Sequence, residues 1–145
     1  MKHLPHPEGV RLDNLLKMAD YIENVPQDVF NMGFYRTGNE HKHNCDSIGC
    51  IIGHCVILDS FTNIPFLHDV FGNYCIDFHL WSQQYTGIGI HSNSWLYLFS
   101  GEWSYRPTDN TSKGAAKRIR YYVKNGLPEN WYLQMTGREP LSYNQ

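Results

Sequence analysis

Charge is scarce in this 145-residue sequence. Asp, Glu, Lys and Arg together make up 18%, below the roughly 25% usual for soluble domains, and the formal net charge is −2. A chain so nearly neutral is compositionally neither a wholesale nucleic-acid coat nor an acidic mimic of DNA. Long apolar runs are missing too. No stretch reaches the roughly 18 apolar residues of a membrane span, and Met1 to Pro7 holds no apolar core of a signal peptide. The expectation is a cytoplasmic protein with no membrane role. Cysteine is limited to Cys45, Cys50, Cys55 and Cys75, three of them on one apolar segment, and without an export signal they read as free thiols. Walker-type, G-x-G-x-x-G, G-x-S-x-G and H-E-x-x-H sequences are absent, which removes the standard nucleotide and hydrolase signatures.

What is present is apolar and aromatic: 41% hydrophobic residues and 14% aromatics, enough for one compact domain over 1–145. Residues 1–9 and 137–145 read as irregular tails. Leu12, Leu15, Leu16, Ala19 and Ile22 recur at helical spacing and predict an amphipathic helix over 11–24, ended by Asn24 and Pro26. Phe30 to about residue 40 suggests a short extended or hairpin segment, with a polar His-bearing loop over 37–44. Asp46 or Ser47 is placed to cap a second helix, about 47–58. Its residues leave almost no polar face, so it is expected to be the buried centre of the fold. Gly49 and Gly53, four apart, predict a notch for close packing. A third helix is expected over Tyr74–Gln84, ended by Gly87 and Gly89, then a short helix capped by Ser92 or Asn93. The last helix is capped by Thr111 or Ser112, lined by Ala115, Ala116, Ile119, Tyr122 and Val123, and stopped by Gly126 and Pro128. The predicted class is mainly α.

The run Cys45-Asp46-Ser47-Ile48-Gly49-Cys50-Ile51-Ile52-Gly53-His54 resembles a pattern of small uncharacterised bacteriophage and bacterial proteins: Cys, Gly, Ser or Thr, two variable residues, Cys, Ile or Leu, a small residue, Gly, then His or Trp. Asp46 stands where that pattern has Gly. Val25-Pro26, Phe30-Asn31-Met32 and Leu98-Phe99 ahead of a Thr-capped, Ala-rich helix are similar as well. The resemblance implies a phage-type accessory protein in the bacterial host cell. Proteins of that size and setting often inhibit or sequester host components, which is an argument by association.

Two constellations compete for a function. Cys50 and His54 are four apart on one predicted helix face, Cys45 lies just before it, and His41 and His43 sit on the preceding loop. Such a set suits a small zinc module, or a Cys45 nucleophile with His43, His54 or His79 as its base. The plainer reading makes Cys45, Gly49, Cys50, Gly53 and His54 structural core, with no metal and no cofactor. Asp77 and His79, at i and i+2, diverge on a helix and read as two exposed polar residues.

The other constellation lies in the C-terminal third. Residues 1–100 hold five basic and ten acidic side chains, whereas 101–145 hold seven and four. Lys113, Lys117, Arg120 and Lys124, at spacings of four, three and four, predict one basic stripe with Arg118 beside it, and Trp103, Tyr105 and Arg106 precede it. Clustered cations and stacking faces suit a phosphate, a nucleotide or an acidic protein surface. The competing view is a solvated helix face with cations favoured by the helix dipole. The resulting expectation is a binding protein that inhibits or sequesters a bacterial defence component through this surface. Its partner would be a host protein or an anionic or nucleotide ligand. Nucleic acid is not favoured, and self-association is open.

Overall fold

The computed structural model describes residues 2–32, 50–59, 66–68, 74–106 and 109–144, with the backbone alone at 66–68 and 74–76. The fold is mainly helical, and its largest packed interface joins α1 (Leu12–Glu23) to α5 (Ser112–Asn125). Leu15, Met18, Ala19 and Ile22 of α1 are fully buried, as are Ala115, Ile119 and Tyr122 of α5. These residues are three or four apart, the period that puts side chains on one face of a helix. Leu16, expected on that face, is 41% exposed and Met18 takes its place.

Local chemistry fixes the helix ends. Thr111 Oγ1 accepts from the Gly114 amide at 2.9 Å to start α5, Ser92 Oγ accepts from Trp95 N to start α4 (Asn93–Phe99), and Asp77 Oδ1 accepts from Leu80 N to start α3 (Phe78–Thr86). Each satisfies an amide that a helix N-terminus leaves open. Helix α3 ends at Gly87, whose φ is +71° and where a Cβ would lie 2.0 Å from the Gly9 carbonyl oxygen. Glycine alone fits there.

The central segment is shorter than its apolar run suggests. Helix α2 covers Ile51–Cys55 and tightens to a 3₁₀ turn over Val56–Leu58. Cys50 is extended, with φ −83° and ψ −173°, and precedes the helix. A glycine and β-branched residues at 51, 52, 56 and 57 weaken helix propensity here. Ile51, Ile52, Gly53 and Cys55 are buried, but Ile57 is 57% exposed. Asp46, Ser47 and Gly49, and with them the cap and half of the glycine notch, lie outside the described residues.

Among the described residues, two small sheets complete the fold. Strands β2 (Phe66–His68) and β3 (Tyr74–Ile76) form an antiparallel hairpin with Leu67 opposite Cys75. Tyr74 therefore belongs to a strand, and the third helix starts at Phe78, four residues later than periodicity suggests. Near residue 30, a 3₁₀ turn over Gln27–Val29 leads to an extended Phe30; residues 33–40 lie outside the description. Strand β1 (His3–Leu4) pairs with β4 (Leu127–Pro128), so the first residues are not an irregular tail: backbone pairing ties them to the end of α5. The C-terminal residues are likewise held. After α6 (Trp131–Met135), the amide and hydroxyl of Ser142 both donate to Gln134 Oε1 at 3.1 Å, seating a 3₁₀ turn over Ser142–Asn144.

Candidate anion-binding surface

Helix α5 carries the predicted cations, and the structure sorts them by role. Lys113, Lys117 and Lys124 are exposed and have no ion pair among the described residues. Arg120 reaches across to α1, 2.9 Å from Asp20 Oδ1 and 2.8 Å from Glu23 Oε2, and this contact holds the Glu23 carboxyl below its ordinary pKa. Arg118 points inward and is fully buried, its guanidinium 4.2 Å from the centroid of Trp103. The stripe is thus two lysines, Lys117 and Lys124, on either side of an arginine already spent on α1, with Lys113 a turn before them.

The preceding loop corrects the expected aromatic surface. Trp103 is fully buried and its Nε1 donates to the Tyr97 carbonyl at 2.8 Å, so it offers no stacking face. Arg106 pairs with Asp109 at 3.0 Å and donates through Nη1 to the Gln134 carbonyl, which makes it a clasp between the loop and α6. Tyr105 alone of this trio is accessible, at 85%. The 3₁₀ turn over Gly101–Tyr105 rotates every third side chain to the same side, sending Trp103 inward and Tyr105 outward.

In place of that surface, α5 and the C-terminal turn enclose a shallow hollow of about 410 Å³. Lys117, Arg120, Lys124 and Asn125 line it from the helix, together with Tyr121, while Ser142 and Tyr143 close it from the turn. The Tyr121 and Tyr143 rings stand 6.5 Å apart. The Tyr121 hydroxyl is 2.6 Å from His3 Nε2, which steadies its ring. Spacing alone places Tyr121 between Lys117 and Lys124 on the helix surface, at i+4 and i−3. Nothing in the local sequence brings Tyr143 there.

A larger cleft, about 1160 Å³, opens on the other side of α1 and includes Arg11, Lys17, Tyr21, Asp59 and Tyr85. Its charges are of both signs, and several polar groups already serve the fold: Asn14 Nδ2 donates to the Tyr85 carbonyl at 2.7 Å and Trp81 Nε1 to Asp59 Oδ2 at 3.1 Å. It has room but no concentrated charge. The α5 hollow has less room and a clear sign.

The cysteine and histidine segment behaves as packing where it is described. Cys50 is buried, and burial pushes its thiol up to about 11; burial also raises the Cys55 thiol, with Cys50 adding to the shift. Neither holds the accessible thiolate that a nucleophile or metal ligand needs. His54 Nε2 lies 2.7 Å from the Val29 carbonyl, so it carries the proton there. His41, His43 and Cys45 lie outside the described residues, among which no three His, Cys, Asp or Glu side chains gather as a metal site. Asp77 and His79 are not simple exposed groups: Asp77 caps α3, and His79 stacks on Trp95 at 5.5 Å. Burial lowers the His79 pKa, with nearby His91 adding to it and Asp77 opposing.

No family model, curated protein or solved structure matches this chain.

Proposed function

We propose that this protein acts by binding, and that the α5 hollow receives an anionic partner. The observation that carries this reading is the pair Lys117 and Lys124, two turns apart on one helix face, exposed and flanking Tyr121 and Tyr143 in a concave surface. Paired ammonium groups attract an anion over several ångströms, and adjacent phenol rings supply planar apolar contact. A nucleotide or an acidic protein segment has the matching chemistry. The phage-like pattern around Cys45–His54 supports an accessory role, inhibiting or sequestering a component of bacterial defence in the host cytoplasm.

The test compares the wild type with a Lys117→Glu/Lys124→Glu variant in binding to nucleoside triphosphates and to a polyglutamate peptide at two salt concentrations. Salt-dependent binding of either probe by the wild type, lost in the variant, supports the reading. Equal affinity of the two proteins, with equal salt slopes, overturns it and leaves the lysines as a solvated helix face.

A further inference from the structure

The turn that joins α3 to α4 holds a histidine where glycine is the ordinary choice. Ser92 N donates to the Gly89 carbonyl at 3.1 Å, and His91, the third of the four residues so closed, has a φ of +63°. A positive φ at that position of a turn favours glycine, and among the described residues no other non-glycine residue has one. Such a backbone persists where surrounding contacts hold it. Here the contacts are two rings. The exposed His91 imidazole stands edge-on to Trp95 at 5.4 Å and tilted against His79 at 5.5 Å. His79, half-buried on α3, stacks on the same indole at 5.5 Å.

Trp95 is anchored. It is buried, its Nε1 donates to Ser82 Oγ at 2.8 Å, and Ser82 Oγ donates in turn to the His79 carbonyl at 2.7 Å. Helix α3 thus fixes the indole and the first imidazole, and the member able to move is His91, exposed on its turn. Imidazole takes up a proton within a unit or two of neutrality. Two imidazolium rings 5.5 Å apart repel, which at a partly screened site shifts a local equilibrium about ten-fold.

The titratable groups facing His79 among the described residues are His91, on the turn, and Asp77, the cap of α3. Burial lowers the His79 pKa, His91 lowers it further, and Asp77 opposes both. The Trp95 face also favours a cation, yet the net direction is downward. The closed arrangement therefore binds fewer protons than an open one. It is fully favoured above the ordinary histidine pKa and loses that advantage as pH falls through the depressed value.

We propose that His79, His91 and Trp95 form an acid-released latch: below neutral pH the His91 ring leaves Trp95, its backbone relaxes from positive φ, and the turn that caps α4 opens. The ligand of this device is the proton. Its residues are distinct from those of the α5 hollow, so the latch stands whether or not the hollow binds an anion.

The test is NMR on the full-length protein between pH 8 and pH 5, with far-UV circular dichroism alongside. Contacts between the His91 and Trp95 rings are followed by nuclear Overhauser effects. Opening is followed by protection factors at the Ile90, Ser92 and Trp95 amides, each of which holds a hydrogen bond in the closed turn. The expected result is loss of the ring contact by pH 5 and a fall of about ten-fold in protection at those amides, with the helical signal unchanged. His91→Asn keeps a residue that tolerates positive φ but does not titrate, and His79→Gln removes the facing charge. In both variants protection of the turn should not change between pH 8 and pH 5. His91→Asn, at an exposed position, decides the matter if His79→Gln does not fold. Persistence of the His91–Trp95 contact at pH 5 overturns the inference. So does an equal loss of protection in His91→Asn, or loss of the helical signal together with the contact, which would be unfolding of the whole chain.

Discussion

Arg118 lies over the ring of Trp103, 4.2 Å from its centroid, with both side chains fully buried. A tryptophan face is the best aromatic partner for a guanidinium, and the interaction strengthens when desolvated. Together with the Leu98 carbonyl, which accepts from Nη2 at 3.3 Å, it supplies negative potential to a cation that no carboxylate pairs with among the described residues. The pair links α5 to the 3₁₀ turn over Gly101–Tyr105, so a residue that reads as a surface stacker holds the core.

Trp103→Ala should therefore be a stability variant. Loss of the ring, its hydrogen bond to the Tyr97 carbonyl and its contact with Arg118 should cost roughly 3–5 kcal/mol by chemical denaturation, with Trp103→Phe losing clearly less. Near-wild-type stability of the alanine variant would show that the ring does not pack as described.

Arg120 and Lys117 should part company under charge reversal, although their spacing on α5 suggests equivalence. Arg120→Glu sets a third carboxylate against Asp20 and Glu23 and should lower the denaturation midpoint, the deficit shrinking as salt is added. Lys117→Glu, facing solvent, should leave the midpoint unchanged. Because Arg120 depresses the Glu23 pKa, its stabilising effect is present above the unfolded carboxyl pKa and fades as pH falls through the folded one. A midpoint for Arg120→Glu equal to that of Lys117→Glu would remove the α1–α5 ion pairs from the account.

Gly87→Ala should destabilise the protein far more than Gly9→Ala. Both have positive φ, but a Cβ at Gly87 meets the Gly9 carbonyl oxygen at 2.0 Å whereas one at Gly9 meets nothing within 4 Å. The difference between the two urea midpoints isolates the steric part from the conformational part. Similar midpoints would mean that the Gly9–Gly87 approach is not close in solution.

The buried thiols predict a loss of stability on the alkaline side. Burial raises Cys50 to about 11 from an unfolded value near 9, so the unfolded chain gives up its proton first. Stability is full below about pH 9 and declines as pH climbs toward 11. Native Cys50 and Cys55 should also react slowly with iodoacetamide at pH 8 and quickly in denaturant. Cys50→Ala should flatten the decline without removing it, because burial raises Tyr97 and Tyr143 as well. A pH–stability curve identical in wild type and Cys50→Ala would count against a buried thiol there.

Much of the helical frame is legible in the chain itself. The spacing of Leu15, Ala19 and Ile22 and of Ala115, Ile119 and Tyr122 locates α1 and α5, while Thr111 and Gly126 mark the cap and stop of α5, Gly87 the stop of α3 and Ser92 the cap of α4. Those signals are local: a 3.6-residue period and a side chain that satisfies an amide three residues away. Lys117 and Lys124 follow from the same period. Arg118 shows where such reading conflicts with itself, since its charge sorts it with the surface while its spacing from Ala115 and Tyr122 sorts it with the core. Spacing won because Trp103 covers the guanidinium. That cover, the commitment of Arg120 to Asp20 and Glu23, and the arrival of Tyr143 beside Tyr121 all join residues roughly 15 to 100 positions apart. Only the docking of α1, the Trp103 turn and the C-terminal turn against α5 decides them, because a side chain's partner across the core depends on which elements pack together and not on its neighbours in sequence.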